Sequence, residues 1–178
     1  MIGDNLKKVI IILGIIMSIY LIYNNQEELI LIPNEAIRVR VIANSNSEYD
    51  QNVKETLKDK LKIKYDSLLK KSTSIVETRK ILNENIEELT TFVDKNLQNL
   101  NYNKDFNINY GLNYFPEKNF KGVKYPSGYY ESLVVTLGDG KGDNYWCVLY
   151  PPLCLIDESE KQEYEYRSYI KDILNKYI

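Results

Sequence analysis

The chain has 178 residues, 44% of them hydrophobic, with 23 basic and 25 acidic side chains and no histidine. That length and composition suit one compact core, and the near-neutral balance, without an arginine-rich run, gives no electrostatic reason to expect nucleic acid. Without histidine, serine–histidine and cysteine–histidine catalysis and histidine-ligated zinc are excluded within this chain, and two cysteines are too few for a four-thiolate zinc site.

Lys7 and Lys8 precede an uncharged run from Val9 to Gln26, followed by Glu27 and Glu28. At 1.5 Å per residue its 18 positions span roughly 27 Å, marginal for a bilayer crossing. Positive charge before the run and negative after it put the N-terminus in the cytoplasm and the remainder outside. Residues 1–28 are expected to be a signal peptide or an uncleaved signal anchor. The exit Leu21-Ile22-Tyr23-Asn24 lacks the small residues of a cleavage site, which favours the anchor. Residues 29–35 read as a linker, and 36–178 as a single extracytoplasmic domain.

Ala36–Ala43 alternates, with Ile37, Val39 and Val41 on one side and Arg38, Arg40 and Ile42 on the other, the pattern of a half-buried strand with a positive stripe. Ser45-x-x-Glu48 and Ser74-x-x-Glu77 have capping-box spacing. They open two amphipathic helices, one carrying Val53, Leu57, Leu61, Tyr65 and Leu68, the other Leu82, Ile86, Leu89, Val93, Leu97 and Leu100. Such a helical hairpin covers one face of a sheet. From Phe106 to Tyr114 the period changes to two, predicting a strand. Weaker strand character follows over Phe120–Tyr125. Tyr129–Leu137 is apolar on both sides in its second half, as in a central strand. Gly138–Asn144 reads as a hairpin loop into the strand Tyr145–Tyr150, and Glu158–Ile178 as an amphipathic helix. The expected fold is α+β: a mostly antiparallel sheet of about five strands, covered on one face by the helical hairpin, plus an N-terminal anchor helix and a C-terminal helix.

Gly138–Cys154 concentrates the special chemistry, with the only tryptophan, Trp146, and both cysteines. Outside the cytoplasm Cys147 and Cys154 are candidates for a disulfide around Pro151-Pro152, worth about 2–3 kcal/mol; the alternative is two buried thiols. Lys141 is followed by glycine and a strand rather than by Ser or Thr and a helix, so the loop is no P-loop. Asp139 and Asp143 lack EF-hand spacing, which leaves a calcium-dependent binding module as one alternative. Ser67 and Lys70 fit a serine–lysine spacing without the other motifs of that class. Glu117, Glu131, Asp139 and Asp143 are the carboxylates an extracytoplasmic hydrolase would need, a second alternative, but no spacing pairs them.

Two blocks, IRVRVIANSNSEYDQNVKETLKD (Ile37–Asp59) and GDGKGDNYWCVLYPPLC (Gly138–Cys154), with FPEKNFKGVKYPSGYYESLVV (Phe115–Val135) between them, resemble the signature stretches of the stage II sporulation protein R family. The resemblance runs from Ile37 to Ile156. It implies a sporulation signalling protein exported from the forespore into the space between the two membranes. There it would activate a membrane-embedded aspartic-type protease of the mother cell, which processes the precursor of the mother-cell sigma factor. It implies no catalytic residue, no cofactor, no metal, no small-molecule substrate and no nucleic acid; the membrane would be met through the N-terminal segment. The positions matching the family pattern include Arg38, Asn44, Ser45, Ser47, Asp50, Gln51, Lys54, Gly138, Gly140, Lys141, Gly142 and Trp146. Of these, Arg38, Asn44, Ser45, Ser47, Asp50, Gln51, Lys54, Lys141 and Trp146, with Arg40, are the expected partner-binding residues. Arg40 departs from the pattern, standing where the family commonly has histidine, as Asn46 does where it has aspartate.

Overall fold

The structure is a computed structural model that describes residues 10–20, 30–155 and 163–177. Residues 10–20 form a helix, α1, with exposed side chains. No described helix is long and apolar enough to cross a membrane; much of the run Val9–Gln26 lies outside the described residues.

Strand β1 (Ile30–Leu31) precedes β2 (Ile37–Ile42), followed by helices α2 (Glu48–Leu69), α3 (Ile75–Glu84) and α4 (Ile86–Asn99). Then come β3 (Phe106–Phe115), β4 (Lys118–Phe120), β5 (Val123–Tyr125), β6 (Gly128–Leu137) and β7 (Asn144–Tyr150). A single 3-10 turn (Leu153–Leu155) precedes the last described element, α5 (Glu163–Tyr177).

The α+β class is as expected, but the sheet is not. Two mixed sheets replace one: β1-β5-β4, and β3-β6-β2-β7. In the larger sheet β2 runs parallel to β6 and antiparallel to β7. The expected β6–β7 hairpin therefore does not form, because β2 lies between the two strands. The physical reason is burial: β2 has apolar side chains on one face and a covered arginine on the other, so both of its edges and faces are occupied.

Val39 and Val41 of β2 join Leu133, Val135 and Leu137 of β6 and Cys147 and Leu149 of β7 on one face. Onto it pack Val53, Leu57, Leu61 and Tyr65 of α2 and Leu89, Val93 and Leu97 of α4. Each fully buried leucine there contributes about 1.5–3 kcal/mol relative to exposure. The second predicted helix divides at Asn85, whose N–H returns to Ile81 and Leu82 and whose own carbonyl accepts from Leu89, so two short helices replace one. Ser74 caps α3 as predicted, accepting from the Glu77 N–H. For α2 the cap is Ser47, accepting from the Asp50 N–H, rather than Ser45.

The opposite face is covered too, which corrects the one-sided expectation. Ile32, Ala36, Val123, Tyr125, Val148, Leu153, Tyr166 and Ile170 make a second core between the large sheet, the small sheet and α5. Residues 30–32, expected in the linker, are part of it: Ile30 pairs with Val123, and Ile32 is buried. The hairpin β4–β5 turns on Lys121 and Gly122, both at positive φ, as tight two-residue hairpins require.

Candidate functional site

The residues singled out in the sequence lie along β2 and just beyond its C-terminal end, on two sides of the sheet. One group is a polar knot between the Asn44–Ser47 turn, the first turns of α2 and the loop 138–143. Asp50 is its centre. Its carboxylate accepts from the Ser45 hydroxyl (2.5 Å), the Asn44 amide (2.7 Å) and Lys104 Nζ (3.1 Å). The Ser45 hydroxyl bond above all, then the Asn44 and Lys104 bonds, outweigh burial and hold this carboxyl down at about 2.

The glycine loop lies directly on that turn. The N–H groups of Lys141 and Gly142 donate to the carbonyls of Asn44 (3.0 Å) and Ala43 (2.9 Å), and the Asp139 N–H donates to Asn44 Oδ1 (3.0 Å). Asn46 Oδ1 accepts from the Asp143 N–H (2.6 Å) and Gln51 Nε2 (3.3 Å), while Gln51 also donates to the Ser45 carbonyl (3.0 Å). Buried Lys54 reaches Gln51 Oε1 (2.7 Å) and the Asp143 carbonyl (3.3 Å). Contact is close enough to exclude a side chain: a Cβ at Gly142 would stand 2.3 Å from the Ser45 carbonyl oxygen. At Gly138, where φ is +52°, it would stand 2.3 Å from Asn44 Oδ1. The predicted residues Asn44, Ser45, Ser47, Asp50, Gln51 and Lys54 are thus bonded inward. Lys141 differs, its side chain 76% exposed and, among the described residues, paired only with exposed Asp139 at 2.9 Å.

The second group, Arg38, Arg40 and Trp146, lies on the other face. Arg38 is 1% exposed, so the expected positive stripe is not a solvated one. Its guanidinium carbon is 3.4 Å from the Tyr130 ring centroid, 5.6 Å from Phe115 and 5.9 Å from Tyr125. None of its three guanidinium nitrogens has a hydrogen-bond partner among the described residues. Burial pushes it below the ordinary guanidinium range, with Tyr130 acting in the opposite sense. Arg40 is half-buried, 5.7 Å from the Trp146 ring and 5.8 Å from Phe115, and burial lowers it as well. Ring faces are what offset the missing anions here.

Cys147 and Cys154 are disulfide-bonded, with Cα atoms 5.4 Å apart, and the Tyr150–Pro151 peptide between them is cis. The bridge ties the end of β7 to the following 3-10 turn and packs in the helical core.

The candidate carboxylates do not assemble. Glu117 pairs with Lys124 (3.2 Å), Glu131 with Arg79 (2.7 Å) and the Tyr110 hydroxyl (2.6 Å), and Asp139 with Lys141, whose hydrogen bond holds its carboxyl below the usual carboxylate range. Asp143 accepts from Asn46 (3.4 Å). Ser67 and Lys70 line different cavities, one with Phe92 and one with Tyr65. Among the described residues no three acidic or thiol side chains are grouped to hold a metal.

Sequence reasoning did not find Lys104, which supplies the cation at Asp50, or the Phe115, Tyr125 and Tyr130 rings around Arg38. The signal for Phe115 was present, since it breaks the alternation of β3 by placing a large apolar group on the asparagine face.

Residues 33–160 match the family model described as stage II sporulation protein R. Among curated proteins, the stage II sporulation protein R of Bacillus subtilis (strain 168) is 34% identical over 135 residues, covering 76% of this chain. The match spans 60% of that relative's length. No solved structure matches.

Proposed function

The chain belongs to the stage II sporulation protein R family, and from that premise we propose that it is a sporulation signalling protein. In this reading it is exported from the forespore, held at or released from the membrane by its N-terminal segment, and acts in the space between the two compartments. It activates a membrane-embedded aspartic-type protease of the mother cell, which then processes the precursor of the mother-cell sigma factor. The family match over residues 33–160 carries the reading.

The chain acts as a ligand, not as an enzyme. Support comes from the histidine-free sequence and from the separate partners of the four candidate carboxylates, cations for Glu117, Glu131 and Asp139 and the Asn46 amide for Asp143. Activation by a ligand requires tighter binding to the active arrangement of the protease than to the inactive one. The surface available for such binding is the end of the fold where Lys141 is exposed and Arg40 flanks Trp146. Asn44, Ser45, Asp50, Gln51 and Lys54 shape that end through bonds already made within the chain.

The test is reconstitution of the chain with the cognate protease and the sigma-factor precursor in a heterologous host. Precursor cleavage that requires the co-expressed chain is the expected result. Cleavage at the same rate without the chain would refute the proposal.

A further inference from the structure

The four-stranded sheet ends in β3 on one side and β7 on the other. The Cys147–Cys154 bridge ties β7 to the 3-10 turn that follows it. Among the described residues β3 pairs with β6 alone, in unbroken register from Phe106–Leu137 to Phe115–Gly128. Only Phe115 of its ten residues is buried. An edge of that length is ordinarily blunted by a lysine, a proline or a bulge. The strand FNINYGLNYF has no charged residue and no proline, although 27% of the chain is charged. By contrast, the edges of the small sheet, β1 and β4, are two and three residues long.

The two faces of β3 are covered unevenly. Phe106, Ile108 and Tyr110 pack against the helical core. Leu112 and Tyr114, next on the same face, lie beyond the helical layer and are 73% and 53% exposed. Tyr129 of β6, opposite Tyr114 with ring centroids 5.6 Å apart, is 73% exposed and extends this apolar patch. The alternate positions carry Asn107, Asn109, Gly111 and Asn113.

We propose that β3 pairs antiparallel with β3 of a second copy of this chain, about a two-fold axis at Tyr110 or Gly111, joining two sheets into one. A two-fold axis perpendicular to the sheet sets each face against the same face of the copy. Leu112 then meets Ile108 or Tyr110 of the second copy, and Asn109 meets Gly111 or Asn113. The uncovered Leu112–Tyr114 end of one strand lies beside the helix-covered Phe106–Ile108 end of the other, so its apolar side chains meet apolar neighbours instead of water. Near such an axis every charge faces its own like. An uncharged strand therefore fits a second copy of itself, and it offers no counter-charge to a charged segment of another protein.

The test follows the mass of the full chain in nonionic detergent by light scattering after size separation, with the detergent contribution subtracted. The expected result, at up to about 0.1 mM, is a reversible species of twice the 20.9 kDa chain mass. Leu112→Lys and Asn109→Lys, both at exposed positions, should each weaken the dimer by at least about tenfold, because the axis introduces every lysine twice. Gly111→Cys adds a lone thiol, since Cys147 and Cys154 are bonded to each other, and a Cβ there meets only Asn109 Oδ1, at 3.8 Å. A bifunctional thiol reagent reaching about 8 Å, the span of diagonal neighbours in a sheet, should join this variant to its copy. Ile63→Cys, exposed on α2, should not be joined. A native chain that stays monomeric, a dimer unchanged in the folded lysine variants, or joining at Gly111→Cys no greater than at Ile63→Cys would each overturn the inference. If a lysine variant fails to fold, the thiol comparison decides. For a monomeric native chain, loss of precursor processing by folded Leu112→Lys would give the edge to an extended segment of another protein instead.

Discussion

The two sides of β2 treat polar groups in opposite ways. On the helical side, at the end of the strand, the Asp50 carboxylate, the Asn44 and Asn46 amides and the loop N–H groups satisfy one another within the chain. Beneath the small sheet, Arg38 and Arg40 face rings and find no acid among the described residues. A satisfied network gains nothing by meeting another molecule, so it fixes shape. The arginines instead meet ring faces, which offset part of the cost of burying a cation. The same short strand thus supplies a clamp on one side and a cation–aromatic layer on the other.

The largest effect should come from reversing the buried cation. Arg38→Glu buries an acid against three aromatic rings in place of the cation they face, and a loss of about 3–5 kcal/mol is expected by urea denaturation. Native stability in this variant would mean that the site is open to water and the contrast is wrong. Arg38 is for this reason a poor probe of partner binding.

Gly142→Ala tests the clamp. Its methyl would meet the Ser45 carbonyl group at 2.3 Å and 2.6 Å, so the loop must lift from the turn, with a loss of about 2–4 kcal/mol expected in the same measurement. Removal of the disulfide by the double change Cys147→Ser and Cys154→Ser should cost about 2–3 kcal/mol in thermal unfolding under non-reducing conditions, from the small loop it closes. An unchanged transition would show that the bridge is absent in solution.

A smaller effect is expected from acid. Asp50 is depressed from 3.8 to about 2 in the fold, so its contribution is complete above about pH 4. It is lost as pH falls from about 4 toward 2, where the folded-state carboxyl takes up its proton. Melting temperatures over that window should fall in the native chain, and the part of the fall due to this group should vanish in Asp50→Asn. An identical acid limb in the two proteins would remove Asp50 from the centre of the knot.

Much of the local structure was legible. Alternation over Phe106–Tyr114 gives β3, and the stripe Val53, Leu57, Leu61 and Tyr65 gives α2. The order of strands was not legible, because the parallel pairing of β2 with β6 joins segments about ninety residues apart and leaves no local mark. Arg38 reads as solvated for a related reason. Its cover comes from 30–32, β4–β5 and α5, none of which by itself has the pattern of a layer. The glycines at 138, 140 and 142 were legible as a turn, yet only the fold shows that the loop crosses the end of β2 instead of closing a hairpin.

The most direct test of the activator reading is precursor processing in the reconstituted host, comparing Arg40→Glu with the native chain at matched expression and matched melting temperature. The account predicts that processing is lost while the variant remains folded, because the change reverses the charge that Arg40 contributes beside Trp146 at the docking end. Processing at the native rate by folded Arg40→Glu would contradict it.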